Sequence, residues 1–203
     1  DIEPELKVSW FDSPVQSTLG LGVLGQVDVV LSGVDNLQTR RDLNRACLLT
    51  STPFIDGGLF YLDGDVRVFT PPFPVCFDCT LTHDEREEGW RRWSCLKLAA
   101  GDDAPVGPTA PTIAAMVGGL QAQLALKYLH RGRELPYRML VPNGVRIRFN
   151  GFCDEYERWD LSRDSECPTH MDASLIPDEA VRLLPYGNEM SAGLLLEMAQ
   201  EQL

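Results

Sequence analysis

The sequence has no long apolar run and few basic residues. Nothing in its 203 residues approaches the roughly eighteen consecutive apolar residues of a membrane-spanning helix. Eighteen Lys and Arg stand against thirty Asp and Glu, giving a formal net charge of −12. A surface of that sign repels phosphate backbones and anionic lipids. We therefore expect neither a nucleic acid nor a membrane as partner.

Three further patterns are missing. There is no internal repeat, no low-complexity tract and, in the opening DIEPELKVSW, no basic and apolar export signal. The composition, 44% hydrophobic and 24% charged, is typical of a globular domain. Without an export signal, the six cysteines indicate thiols, metal ligands or a nucleophile rather than a disulfide framework. We expect a cytoplasmic protein.

The first quarter of the chain predicts a strand–helix–strand unit. Residues 27–31 form a short, Val-rich run, as expected of a strand that is buried on both faces. Asp35 can cap a helix through Cys47, which Pro53 ends, and residues 54–56 start another strand. The unit predicts an α/β protein with a doubly wound, Rossmann-like sheet.

The rest of the chain adds weaker and stronger elements. We predict strands at 6–11 and 145–149, a hairpin with strands 59–62 and 66–69 around a turn at 63–65, and helices at 113–129 and from Ser191. Gly118 and Gly119 lower the stability of the long helix, so we expect a neighbour packed closely against them. The apolar stripe of this helix fits either an intrachain core or a two-fold contact with a second copy.

Two short cysteine motifs predict a metal centre. Cys76 and Cys79 form a CxxC, and Cys167 and His170 repeat that spacing with soft sulfur and nitrogen donors. Two such pairs can close one tetrahedral zinc shell, which would be structural because no position stays open. The alternatives are ordinary thiols with a surface histidine, a redox dithiol at the CxxC, or Cys153 as the fourth ligand in place of His170.

A polar motif follows the first predicted strand. Asp35 and Arg40 lie at its carboxyl end, where doubly wound sheets bind ligands. Asp35 can hold a magnesium ion, and Arg40 can face a nucleotide phosphate. A helix cap and a surface charge explain the same two residues equally well.

Four segments together resemble the ThiF/MoeB/HesA family of adenylating enzymes, relatives of ubiquitin-activating enzymes. In chain order they are DVVLSGVDNLQTRRDLNRACLLTSTPFIDGG, PVCFDC, PTAPTIAAMVGGLQAQLALKYL and CPTH. The resemblance covers about residues 1–170 and leaves 171–203 as a C-terminal extension. It implies a Rossmann-like domain with a zinc-linked C-terminal lobe.

The resemblance also implies a function and its residues. Such enzymes use Mg-ATP to adenylate the C-terminal carboxylate of a ubiquitin-like protein or a peptide. Asp35 and Asn36 match the family's magnesium and nucleotide motif, while Arg40 and Asn44 match its later positions. Many relatives pass the acyl group to a cysteine, and Cys95, preceded by Arg91 and Arg92, stands where that acceptor occurs; a buried core cysteine is the alternative. Relatives pair through the helix after the PTAPT loop, so a homodimer is expected.

The sequence departs from the family pattern at its start. The Gly-rich phosphate loop, the acidic ribose-binding residue and the catalytic Arg and Lys have no counterpart here, so the sequence resembles the C-terminal portion of such an enzyme. Half an ATP site binds little, because the phosphate-cradling backbone N–H groups are lost. The alternative functions are a catalytically inactive scaffold or partner-binding subunit and, less favoured, a zinc-dithiol redox protein.

Overall fold

The computed structural model describes residues 5–15, 19–88, 109–134 and 140–173. Their helices are α1 (Leu21–Leu24), α2 (Leu37–Leu49), α3 (His83–Glu88), α4 (Pro111–Leu129) and α5 (Pro168–Ala173), with a 3₁₀ turn at Phe77–Thr80. Their strands are β1 (Val30–Ser32), β2 (Phe54–Phe60), β3 (Asp63–Phe69), β4 (Val145–Asn150) and β5 (Glu155–Asp160). Cys95, the predicted helix from Ser191 and nearly all of the predicted extension lie outside these ranges.

The described strands form one sheet in the order β1-β2-β3-β4-β5. β1 and β2 are parallel, and the three later pairs are antiparallel. Helices cover both faces, which confirms the α/β class, although the parallel pairing expected of a doubly wound sheet is limited to one pair among these strands. No helix in the described ranges has the length and apolarity that a bilayer crossing requires.

Alternation along β2 and β3 divides the core between the two faces of the sheet. Phe54 and Phe69 pack with Leu43 and Cys47 of α2. The neighbouring Ile55 and Val68 point the opposite way and pack with α4, whose sheet-facing stripe consists of Ile113, Met116, Val117, Leu120 and Leu124. The stripe of α4 therefore serves the intrachain core, one of the two alternatives that the sequence left open.

Local sequence explains where the two principal helices, α2 and α4, begin. The side chain of Asn36 accepts a hydrogen bond from the Thr39 amide at 2.7 Å and so caps α2. The prediction that Asp35 is the cap was therefore wrong by one residue. α4 starts at Pro111, which suits the first helical turn because proline lacks the N–H that would be unsatisfied there.

Two strand predictions were wrong in position or environment, and one strand was missed. Residues 6–11 form no strand, because no described strand pairs with them, and Trp10 is 80% exposed. β1 lies three residues later than predicted and is not buried on both faces, since Leu31 is exposed at the end of the described sheet. β5 was missed because all six of its residues are exposed, which leaves no apolar face for a pattern to reveal.

The hairpin turn is at Tyr61 and Leu62, not at residues 63–65. Asp63 pairs with Phe60, and Gly64 pairs with Leu59 inside β3. Gly64 is required by packing rather than by a turn, because a Cβ there would meet Val117 Cγ2 at 2.5 Å. Gly118 and Gly119 show the reverse: no described atom lies within 4 Å of a Cβ placed on either. The close packing predicted for them was wrong within the described chain.

Exchanging each kind of glycine for alanine tests this contrast. We expect Gly64→Ala to lower the free energy of unfolding by about 1–3 kcal/mol, because overpacking must displace α4. Gly118→Ala should raise it by about 0.5–1 kcal/mol, because alanine is the better helix former and has open space here. Urea denaturation followed by circular dichroism measures both. Equal effects of the two substitutions would contradict the packing described above.

Candidate metal centre and the adjoining charged face

Two ligand pairs that are distant in sequence meet beside α2. Cys76 immediately precedes the 3₁₀ turn, and Cys79 lies within it. Cys167 immediately precedes α5, which carries His170 in its first turn. One ligand atom from each of the four lies within 4.8 Å of the other three. The structure therefore brings together all four predicted metal ligands.

The distances suit one tetrahedral ion. Cys76 Sγ lies 3.8 Å from Cys79 Sγ and 3.6 Å from Cys167 Sγ. Cys79 Sγ lies 3.4 Å from His170 Nδ1. A tetrahedron with Zn–S bonds of about 2.3 Å and a Zn–N bond of about 2.0 Å has S···S edges of about 3.8 Å and S···N edges of about 3.5 Å. These three edges match such a tetrahedron, so the cluster could hold a metal ion.

The orientation of His170 is fixed by its other ring nitrogen. Nε2 lies 3.1 Å from the carbonyl oxygen of Phe73, to which a protonated Nε2 donates a hydrogen bond. That bond leaves Nδ1 unprotonated and directed at the cysteines. A backbone carbonyl bound to the outer nitrogen is the usual support of a metal-binding histidine.

The thiols also change one another's acidity. Hydrogen bonds from the Cys167 and Cys76 thiols lower the pKa of Cys79 far below its ordinary value. The corresponding hydrogen bonds, together with burial, raise the pKa of Cys76. The shared hydrogen bonds therefore act to favour the thiolate form of Cys79, and the thiolate is the form that binds a metal.

The other described cysteines lie away from this cluster. Cys153 is exposed in the turn between β4 and β5, so the alternative that made it the fourth ligand was wrong. Cys47 is fully buried in the core, and burial raises its pKa to about 12. It is an inert core thiol, as predicted.

The D-N motif lies where β1 ends. Asp35 is exposed at the carboxyl end of that strand, two residues before α2 begins. Asn36 caps the helix and also donates from Nδ2 to Asp35 Oδ1 at 3.4 Å. A carboxylate at this edge of the sheet is accessible to a ligand.

The two later motif residues are buried and contact protein groups. Arg40 donates from one terminal nitrogen to Asp56 Oδ2 at 2.6 Å and from the other to the Val34 carbonyl at 2.8 Å. Asn44 accepts a hydrogen bond from the Phe77 amide at 2.8 Å, where the 3₁₀ turn begins. Burial raises the pKa of Asp56, and Arg40 partly offsets that effect. Arg40 thus holds the residue before Asp35, while Asn44 holds the CxxC segment.

The face of the sheet beside α2 carries a network of charges. Asp65 accepts hydrogen bonds from Arg67 at 3.0 Å and from Arg146 at 2.7 Å, and Arg148 pairs with Asp63 at 2.5 Å. Burial acts to raise the pKa of Asp65, but the arginines outweigh it and the pKa is lowered. Asp65 therefore stays ionised between its arginine neighbours.

Two adjoining cavities open on this charged face. One of about 140 Å³ lies between α2, β2 and the CxxC segment and includes Arg40, Arg67 and Phe77. The second, of about 250 Å³, lies over β2–β4 and includes Arg146 and Arg148. Both are bounded by Gly58 and Asp65, so together they form a polar groove that leads across the sheet from α2.

Sequence reasoning did not identify the residues of this network, although a signal was present. In DGDVRVF and VRIRF the charged residues alternate with apolar or small ones. Alternate residues of a strand share a face. The alternation predicts one polar face for each strand. It does not reveal that the two polar faces adjoin, because that depends on the register of Asp65 opposite Arg148.

Comparison with known proteins extends these observations. The family model described as "ThiF family" matches residues 1–169. The chain is 27% identical over 168 residues to the sulfur carrier protein ThiS adenylyltransferase of Escherichia coli, covering 82% of this chain and 59% of the relative. It is 23% identical to adenylyltransferase and sulfurtransferase MOCS3 of Culex quinquefasciatus, covering 92% of this chain and 44% of the relative.

A third relative and a solved structure are also similar to this chain. The molybdopterin-synthase adenylyltransferase of Salmonella typhimurium is 26% identical, over 73% of this chain and 55% of its own length. The crystal structure of Escherichia coli MccB with ATP shares the fold, with a TM-score of 0.52 at 16% identity, over 75% of this chain and 42% of that one. The chain thus spans about half the length of these curated relatives. A match over residues 1–169, on an α/β sheet of this kind, shows that the chain belongs to the ThiF family.

Proposed function

We propose that these residues are part of an ATP-dependent adenylyltransferase. Its substrate is the C-terminal carboxylate of a ubiquitin-like or sulfur-carrier protein, or of a peptide. The observation that carries the proposal is the family match over residues 1–169, with the D-N motif at the carboxyl end of β1. The names of the relatives, which include a ThiS adenylyltransferase and a molybdopterin-synthase adenylyltransferase, support this substrate class.

The reaction transfers an adenylyl group to the carboxylate. A carboxylate oxygen attacks the α-phosphorus of ATP, the bond to the pyrophosphate oxygen breaks, and an acyl adenylate and pyrophosphate leave. Asp35 would hold the magnesium ion, since an exposed carboxylate is a hard oxygen ligand of the kind that Mg²⁺ prefers. When bound, the ion offsets the charge that develops on the phosphates.

The neighbouring motif residues keep Asp35 in place. Asn36 fixes the start of α2 and contacts Asp35 directly, whereas Arg40 holds the Val34 carbonyl one residue earlier. The Arg40 guanidinium is paired with Asp56 and also lines the cavity beside α2, where its N–H groups would favour a bound phosphate. We therefore assign Arg40 and Asn36 to nucleotide binding, and Asn44 to the connection between α2 and the metal centre.

Removing the Asp35 carboxylate tests this assignment. In the parent protein or complex that supplies the Gly-rich phosphate loop, Asp35→Ala should lower ATP–pyrophosphate exchange on the order of 100- to 1,000-fold, because transition-state charge loses its partner. Asp28→Ala removes the same charge before β1 and should leave exchange unchanged. The 203 residues alone should show no exchange, since they lack that loop.

Two results would contradict the proposal. Equal exchange by the Asp35→Ala and Asp28→Ala variants would remove Asp35 from the nucleotide site. Robust exchange by the 203 residues alone, lost on Asp35→Ala, would place an unrecognised phosphate site within them.

A catalytically inactive scaffold is the second candidate. The observation that favours it is that Arg40 and Asn44 are both buried and that their side chains bond to the protein groups of Asp56, Val34 and Phe77. A scaffold would keep these contacts without binding ATP. Absence of exchange in a complete protein whose phosphate loop is intact would favour this candidate over the enzyme.

We further propose that the Cys/His cluster binds zinc. Three sulfur donors and one imidazole suit zinc, and the sulfur–sulfur distances of 3.6 and 3.8 Å fit its tetrahedral shell. Four protein ligands leave no position for water, so the ion would be structural. It would contribute folding free energy by joining residues 76–79 to residues 167–170.

Metal analysis tests the zinc proposal. We expect one zinc per chain in freshly purified protein and a lower melting temperature after chelation. Cys76→Ser and His170→Ala should lose the ion, His170→Cys should keep it, and Cys153→Ser should behave as wild type. Less than about half an equivalent in wild type, against the one expected for a closed site, would contradict the proposal.

Cys95 is our proposed acyl acceptor, on the sequence argument alone. Arg91 and Arg92 precede it and would favour its thiolate. Among the described thiols, Cys47 is protected by burial, while desolvation and the Glu155 carboxylate raise the pKa of the exposed Cys153.

Partial alkylation at neutral pH orders these thiols. We expect Cys95 to react first, Cys153 more slowly and Cys47 only on unfolding, because the thiolate is the reacting form. Mass-spectrometric mapping identifies the labelled site. First labelling of Cys153 or Cys47 would withdraw the role proposed for Cys95.

We propose a homodimer, paired through the outward face of α4. Its inward stripe is in the core, but the opposite face exposes small and apolar residues: Ala114, Ala115, Gly118, Gly119, Ala122, Leu126 and Leu129. A two-fold contact through such a face is typical of homodimers. Light scattering at high micromolar concentration should give twice the 22.6 kDa chain mass; a monomer only would exclude pairing by these residues alone.

A cytoplasmic location fits the cysteines. Cys47, Cys76, Cys79, Cys153 and Cys167 are all free, and thiolate ligands need a reducing compartment. We propose that location, which cell fractionation would check.

A further inference from the structure

Asp78 stands between the two cysteines of the CxxC and is 2% exposed. Its Oδ2 accepts a hydrogen bond from Thr169 Oγ1 at 2.6 Å, and Thr169 in turn stands between Cys167 and His170. The central residues of the two ligand pairs are therefore bonded directly to each other. This bond joins the two ligand pairs through protein atoms.

The same carboxylate also contacts α2. Arg41 donates from Nε to Asp78 Oδ1 at 3.2 Å and from Nη2 to Asp78 Oδ2 at 3.3 Å. A further nitrogen of Arg41 donates to the Arg86 carbonyl at 3.1 Å, and Arg86 Nε donates to the Asp78 carbonyl at 3.2 Å. Arg41 immediately follows Arg40 of the D-N motif, so one carboxylate connects the ligand pairs to the helix of the nucleotide site.

Burial makes these bonds conditional on a closed centre. A buried carboxylate is tolerated only when it is paired and hydrogen-bonded, because desolvation disfavours its charge. Here its partners come from α2 and α5, which meet the CxxC segment at the ligand cluster. If the two ligand pairs separate, Asp78 loses Thr169 and becomes accessible to water, which screens and weakens its ion pair with Arg41.

We propose that Asp78 is a positioning residue of the metal centre, which sets the separation of the two ligand pairs and couples the closed centre to α2. Thr169 and Arg41 are its two partners in this role. Coupling of this kind is reciprocal, so metal binding should order α2 as much as an ordered α2 favours metal binding. This inference rests on the zinc site proposed above, and it holds for an enzyme and for a scaffold alike, because it involves neither ATP nor the acyl substrate.

Metal affinity is the first readout. In the full chain, zinc affinity measured by competition with a chromophoric chelator should fall about 10- to 100-fold in Asp78→Asn and Thr169→Val, as for other residues that support metal ligands. Asp160→Asn and Thr112→Val make the same chemical changes at exposed positions away from the centre and should leave affinity unchanged. Asp78→Glu keeps the charge and should restore part of the loss. Altered visible bands of the Co²⁺-loaded Thr169→Val chain would report changed ligand geometry.

Hydrogen exchange of the α2 amides is the second readout, and it separates coupling from simple destabilisation. In wild type, removing the metal should speed exchange across Leu37–Leu49. In Arg41→Met, exchange should already be fast with metal bound and change little on chelation. A merely structural role would instead speed exchange equally in both forms.

Two outcomes would overturn the proposal. One is that Thr169→Val and Asp78→Asn bind zinc with affinities within about twofold of their controls, instead of the roughly 10- to 100-fold loss that is typical of a residue supporting metal ligands. The other is α2 exchange that responds to chelation as strongly in Arg41→Met as in wild type. Should Asp78→Asn fail to fold, Thr169→Val, which is close in shape to the native residue, decides the first readout.

Discussion

Four donor atoms from segments 91 residues apart meet within 4.8 Å of one another, and much of the surrounding structure depends on this contact. Cys76 and Cys167 are fully buried, so thiolates at these positions would need partners where water cannot supply them. The contact fixes the CxxC segment beside α2, where Asn44 and Arg41 bond to it. The start of α2, with its D-N motif, is thereby held against the end of β1.

The sheet separates packing from chemistry by the alternation of its residues. On one face Ile55, Val66 and Val68 pack with α4 and form an apolar layer. On the other face, past the aromatic cluster under α2, the same strands present Asp56, Asp65 and Arg67. Asp56 is paired with Arg40 of α2, and Asp65 is paired with Arg67 of its own strand and Arg146 of β4. An unpaired charge at this depth would be destabilising. A polar groove can therefore exist beside the Cys/His cluster without weakening the core.

Local patterns predicted what depends on neighbouring residues alone. The helix at 113–129 was expected from its 3.6-residue period and is present as Pro111–Leu129, and the strand at 145–149 is present as Val145–Asn150. Patterns failed where the decisive partner was remote. The Asp-Gly pair at 63–64 resembles a turn, but Gly64 is in β3 because Val117 of α4 leaves no room for a Cβ. β5 has no apolar alternation, because all of its residues are exposed, and its position is set by pairing with β4.

By itself, the sequence determined the α/β class, the four candidate metal ligands and the ThiF-family membership that its motifs indicate. Residue type and spacing carry that information directly. Only the tertiary structure decided which atoms meet. It placed Arg40 against Asp56, Thr169 against Asp78, and the charged faces of β3 and β4 side by side. These contacts join residues up to 91 positions apart, and no local pattern encodes them, because their geometry follows from strand register and from the closure of the metal centre.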